Sequence, residues 1–182
     1  MSTQKTSYTA ADLMRISSQG QRCELVKGEL VEMAPAGGRH GLIASRIDRR
    51  VGSFVEQNNL GGVFAAETGF RLARNPDTVR APDVAFVTRE RLPAEDLLVG
   101  FPDLVPDLVV EVVSPSDSAG AVQAKLEDWL RSGASLVWVV YPDTRSVAVY
   151  RSLDQVSILT PGDSLEGGAV LPGFSCPVSE LF

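Results

Sequence analysis

The feature that most constrains this fold is the run LVVEVV at residues 108–113, where five of six residues are Leu or Val and the sixth, Glu111, is a carboxylate. So apolar a run of that length reads as a strand buried on both faces. A lone carboxylate left there costs several kcal/mol, roughly, unless a cation or hydrogen-bond donors meet it. Any fold the chain adopts must therefore bring such groups to Glu111. A Pro115-Ser116 turn follows the run, and then a helix carrying Lys125 that Gly133 stops after Ser132.

On the wheel of that helix, Val122, Leu126, Trp129 and Leu130 share one face, opposed by Glu127 and Arg131. Lys125 sits beside the apolar stripe, so its ammonium can snorkel along the sheet toward the strand bearing Glu111. Upstream, residues 80–87 (RAPDVAFV) read as a second strand, with Asp83, Ala85 and Val87 on one face and Val84 and Phe86 on the other. Asp83 then points where small apolar residues point, which is inward. Pro82 lacks an amide donor and suits a strand start or an edge.

The remaining pattern is that of one domain over residues 1–182. Thr9 caps a short helix. Residues 23–33 form a hairpin turned at Lys27-Gly28, and residues 39–58 form a helix with Ile43, Ile47, Val51, Phe54 and Val55 on its inner stripe. His40 falls on the inward edge of that helix's first turn. Arg46, Arg49 and Arg50 fall mostly away from the stripe, as a solvated face or a phosphate-contacting patch. Residues 63–73 read as a strand with Asn75-Pro76-Asp77 as the following turn, and residues 89–106 as a loop with a helical turn near 95–99. Residues 136–141 and 147–150 form a hairpin, residues 156–159 an edge strand, and Phe174, Leu181 and Phe182 pack the tail. The economical fold is α/β with a mixed sheet.

Composition narrows the function. The 182 residues carry a net charge of −6, and the sequence pI is about 4.8. A protein that coats nucleic acid through a broad basic face is expected to be basic, so any such contact here is local or mediated by metal ions. Cys23 and Cys176 read as packed thiols, with no zinc-like spacing and a single histidine. No apolar run approaches the roughly 20 residues of a membrane span. Residues 1–13 lack a secretory profile, which makes the cytoplasm the expected location.

Asp83, Glu111 and Lys125 are three charged groups that this arrangement can bring to one cleft. Two carboxylates and a backbone carbonyl suit a hard divalent cation, Mg²⁺ or Mn²⁺. Spacing alone equally allows a simple Lys125–Glu111 ion pair with Asp83 as a turn cap.

Pro82-Asp83, EVVSPS from Glu111, and helical Lys125 together resemble the PD-(D/E)XK nuclease superfamily. More narrowly, CELVKGELVEMAP, RAPDVAFV, PDLVVEVVSPSD, KLEDWLRSGASLVWVVYPDTRSVAVY and LPGFSCPVSELF are similar to segments of the bacterial Uma-two family of restriction-endonuclease-like proteins. The resemblance implies a restriction-endonuclease-like mixed β-sheet core flanked by helices. It implies Asp83 and Glu111 as metal ligands with the Val112 carbonyl as a third, Lys125 as the catalytic lysine, and Glu24 and His40 as further polar positions at the cleft. In the parent motif the lysine stands two residues after the acid, where this chain has Val113; the family pattern takes it from the following helix. Ala121 replaces a frequent acid four residues before Lys125, and Ser135-Leu136-Val137-Trp138 replaces an EYW-like string. The expected activity is Mg²⁺- or Mn²⁺-dependent DNA cleavage by a homodimer, whose two-fold symmetry suits cutting both strands. The alternative is a non-cleaving binding module on the same fold.

Overall fold

The computed structural model describes residues 7–182. The leader reading rests partly on residues 1–6, which lie outside that range. Among the described residues, no helix is long and apolar enough to cross a membrane.

The run around Glu111 forms β7 (Leu108–Val112), all five residues buried. It lies inside a six-stranded sheet, whose other strands are β3 (Gly61–Ala65), β6 (Val84–Thr88), β8 (Leu136–Tyr141), β9 (Ser146–Ser152) and β10 (Gln155–Leu159). The strand order is β10-β9-β8-β7-β6-β3. β7 runs parallel to β8 and antiparallel to β6, so the sheet is mixed. The parallel pair requires a crossover, and α3 (Ala119–Ser132) supplies it.

Each helix forms for local reasons and buries one stripe. Ser118 caps α3 by accepting from the Ala121 amide at 3.1 Å, and Leu126 and Trp129 bury against Ala85, Val109, Val137 and Val139. Each such side chain contributes about 1.5–3 kcal/mol. α2 (Gly38–Asn58) covers the opposite sheet face with Ile43, Ile47, Val51 and Val55, ending at left-handed Asn59. The C-terminal tail completes that face: Phe174 stacks on Trp138 at 5.7 Å and meets Phe54 edge-on at 5.4 Å. α1 (Ala10–Ser18) is held by a Thr9–Asp12 capping box. It packs on a second sheet of β1 (Cys23–Val26), β2 (Glu29–Glu32), β4 (Phe70–Ala73) and β5 (Thr78–Arg80), in the order β2-β1-β5-β4. β11 (Ser164–Glu166) and β12 (Ser175–Pro177) pair by themselves. Both cysteines are free thiols.

Two expected strands are each split between sheets. Residues 63–73 divide into β3 and β4, because the chain turns through Glu67 at φ 72°. Residues 80–87 divide into β5 and β6, because Pro82 offers no amide and the Ala81 amide donates to Glu24 rather than to a ladder. Asp83 therefore stands just ahead of β6, and strand alternation does not aim its side chain. The arginines of α2 also differ from a plainly solvated face. Arg50 pairs with Glu180 at 2.7 Å and Arg46 donates to the Leu181 carbonyl at 3.4 Å, so both help hold the tail, while Arg49 is exposed.

Gly133 adopts φ +112° with open space around it, so a methyl group there meets strain but no clash. Gly133→Ala is expected to cost about 1–2 kcal/mol, read as a lower urea midpoint with an unchanged slope.

Candidate active site

Glu111, the fourth of the five β7 residues, lies on the sheet face that α3 covers, and two side chains of α3 meet it. The Trp129 indole N–H donates to Oε1 at 2.8 Å, and the Lys125 ammonium lies 3.4 Å from Oε2. These residues are one helical turn apart, so a single helix face delivers a donor and a cation to the buried acid. Burial still dominates the acid's titration. Against the attraction of Lys125, desolvation together with the charges of Asp83 and Glu24 holds the Glu111 carboxyl up at about 7. Burial would lower the Lys125 ammonium, but the charges of Glu111, Glu24 and Asp83 hold it above the ordinary lysine range.

Asp83 reaches the same strand from the other side. β6 begins at Val84, opposite Val110, so β6 offers no backbone acceptor to the Val112 amide. The Asp83 carboxylate takes that place, with Oδ2 accepting from Val112 N at 2.7 Å. Because amide and carbonyl of one strand residue face the same edge, the Val112 carbonyl also looks toward Asp83. His40, in the first turn of α2, places Nε2 3.2 Å from the same Oδ2. This hydrogen bond raises the ring's affinity for a proton against its partial burial, and the Val112 carbonyl contributes in the same direction. The ring's Nδ1 is buried without a partner among the described residues.

Glu24 arrives from β1 and is 1% exposed. Its Oε2 accepts from Arg80 Nη1 at 2.7 Å. Its Oε1 accepts from the Ala81 amide at 3.0 Å and lies 3.6 Å from Lys125. Arg80 in turn grips Asp128 of α3 through Nε at 2.9 Å and Nη2 at 2.7 Å. The structure thus brings Lys125 to both Glu111 and Glu24, and His40 to Asp83, with Asp83 clamped on the strand that bears Glu111. Three participants escape sequence reasoning. Trp129 reads as core from its stripe position, although its spacing of four from Lys125 could have marked it as a second donor. Arg80 and Asp128 carry no comparable signal, since their partners lie 56 and 48 positions away from Arg80.

The family resemblance implies a divalent cation here, and the residues fit one. Asp83, Glu111 and the Val112 carbonyl are hard oxygen donors. Glu111 is a buried acid whose partners are one lysine and one neutral indole. Among the described residues, no group of three or more His, Cys, Asp or Glu side chains is placed to hold a metal ion. A set of two carboxylates and one carbonyl leaves the remaining positions to water or phosphate oxygens, as Mg²⁺ prefers.

Comparisons with known proteins bear on the fold and the family. The crystal structure titled as a "putative nuclease belonging to DUF820" from Anabaena variabilis ATCC 29413 superposes with a TM-score of 0.82 at 21% identity, covering 96% of this chain and 97% of that one. That likeness shows a shared nuclease-like fold. No curated protein matches the chain. The model of the Uma2 family, described as "Putative restriction endonuclease", matches residues 10–179. A match over nearly the whole length makes this chain a member of the Uma2 family.

Proposed function

We propose that the protein is a Mg²⁺- or Mn²⁺-dependent DNA endonuclease that hydrolyses phosphodiester bonds in the Asp83–Glu111–Lys125 cleft, in the cytoplasm and as a homodimer. The observation that supports it is the convergence of a buried, under-compensated Glu111, a clamped Asp83 and a charged Lys125 at one end of β7. Family membership and the nuclease-like fold support the same reading. Asp83, Glu111 and the Val112 carbonyl would hold the ion, which when bound neutralises phosphate charge and lowers the pKa of a coordinated water. Lys125 keeps its proton and stabilises the negative charge that builds on the phosphoryl oxygens. His40 braces Asp83 through Nε2, and Glu24 shares Lys125 with Glu111. With a net charge of −6, DNA contact is local to the cleft.

Supercoiled plasmid is expected to be nicked in Mn²⁺ or Mg²⁺, and EDTA is expected to stop it. Absence of cleavage across both metals and across single-stranded, nicked and linear DNA would overturn the reading. That result would favour a non-cleaving module, in which Lys125 serves only to neutralise Glu111 and Glu24.

A further inference from the structure

Lys125 stands between two buried acids at nearly equal distance, 3.4 Å from Glu111 and 3.6 Å from Glu24. A third acid, Asp128, lies three residues further along α3, within reach of a lysine side chain on the same face. Nothing in those distances alone keeps the ammonium on Glu111. What differs among the acids is their other partners. Arg80, with a side chain 6% exposed, bonds Glu24 through Nη1 and Asp128 through Nε and Nη2. Glu111 has no such guanidinium; its second partner is the neutral Trp129 indole.

We propose that Arg80 is the positioning residue for Lys125, occupying Glu24 and Asp128 so that the ammonium is directed to Glu111. The proposal rests on the reading of Lys125 as the catalytic lysine. Arg80 has the geometry that this role requires, because a planar fork reaches two carboxylates on different elements and a point-charge ammonium cannot. Its position in β5 also ties the smaller sheet to α3, with Glu24 on one side and Asp128 on the other. When Arg80 is lost, Glu24 keeps Lys125 as its one nearby side-chain cation among the described residues. A buried carboxylate in that state draws the ammonium to itself. Glu111 then loses its cation while every proposed metal ligand stays in place.

Nuclear magnetic resonance tests this in the full chain without metal or DNA. The sequence has three lysines, Lys5, Lys27 and Lys125, so ε-carbon labelling gives a readable Lys125 signal, assigned by its loss in Lys125→Arg. Glu111→Gln is expected to shift that signal in the wild-type background and to leave it unmoved in an Arg80→Gln background. Arg80→Lys keeps a charge in the core and serves where Arg80→Gln does not fold; there the shift is expected to shrink. An equal Glu111→Gln shift in all backgrounds would overturn the proposal and leave Arg80 a purely structural residue. In the cleavage assay Arg80→Lys is expected to lower kcat by roughly 10–100-fold with KM for DNA unchanged. A folded Arg80→Lys protein with wild-type kcat would also overturn it. Failure of cleavage in the wild type would sink the nuclease reading alone, because the Lys125 signal reports in the absence of both metal and substrate.

Discussion

Asp83→Ala and Lys125→Ala are each expected to lower metal-dependent plasmid nicking by at least about 10²–10³-fold, the loss typical when a group that stabilises transition-state charge is removed. The two substitutions act differently. Asp83→Ala deletes a proposed ligand and also frees the Val112 amide and His40 Nε2, both of which use Oδ2. It is therefore expected to abolish Mn²⁺ uptake as well as cleavage. Asp83→Asn separates the two losses, since an amide oxygen still accepts from Val112 N while the anionic charge is gone. Lys125→Ala leaves the oxygen donors intact, so Mn²⁺ uptake is expected to survive while cleavage fails. Calorimetric Mn²⁺ titration beside the nicking assay reads the distinction. Full activity in both alanine variants would remove these residues from the site.

The second large effect is on stability and follows from the buried acid of β7. Glu111 has an ordinary carboxyl value of 4.5 in the unfolded chain and about 7 in the folded protein. Between these values the folded state binds more protons than the unfolded state, so this group's contribution to stability is complete below about 4.5 and is lost as the pH rises through about 7. At roughly 1.4 kcal/mol for each pH unit, the change is on the order of a few kcal/mol. Glu111→Gln keeps an acceptor for the Trp129 indole but cannot titrate. In metal-free buffer, the stability difference between wild type and Glu111→Gln is thus expected to move against the wild type from pH 4.5 to pH 7. Urea denaturation at half-unit intervals measures it. A difference that is flat with pH would mean that Glu111 is not an under-compensated buried acid, and the case for a cation at that position would fail with it.

The sequence carried much of this arrangement. Glu111 is conspicuous because a carboxylate among five Leu and Val residues demands a partner, and Lys125 is conspicuous because it flanks an apolar stripe at helical spacing. Period and burial alone point to both, and the structure joins them at 3.4 Å. The strands around Asp83 were less legible. Apolar alternation continues across residues 80–87, and it does not record that Ala81 gives its amide to Glu24 or that two different sheets claim the halves of the run. Asp83 does reach the strand that bears Glu111, but for another reason: its carboxylate replaces the missing backbone partner of Val112. Arg80 is the clearest case of illegibility. Its partners come from β1 and α3, and tertiary contacts between distant segments leave no periodic trace near Arg80 itself.

The proposed activity depends on Asp83, Glu111 and the Val112 carbonyl sharing one divalent ion. Anomalous diffraction from Mn²⁺-soaked crystals can show whether they do. One peak is expected within about 2.5 Å of a carboxylate oxygen of Asp83, a carboxylate oxygen of Glu111 and the Val112 carbonyl, with Lys125 still beside Glu111. A peak that contacts neither carboxylate, or no peak at saturating Mn²⁺ with Lys125 still filling the space between Glu24 and Glu111, would contradict it.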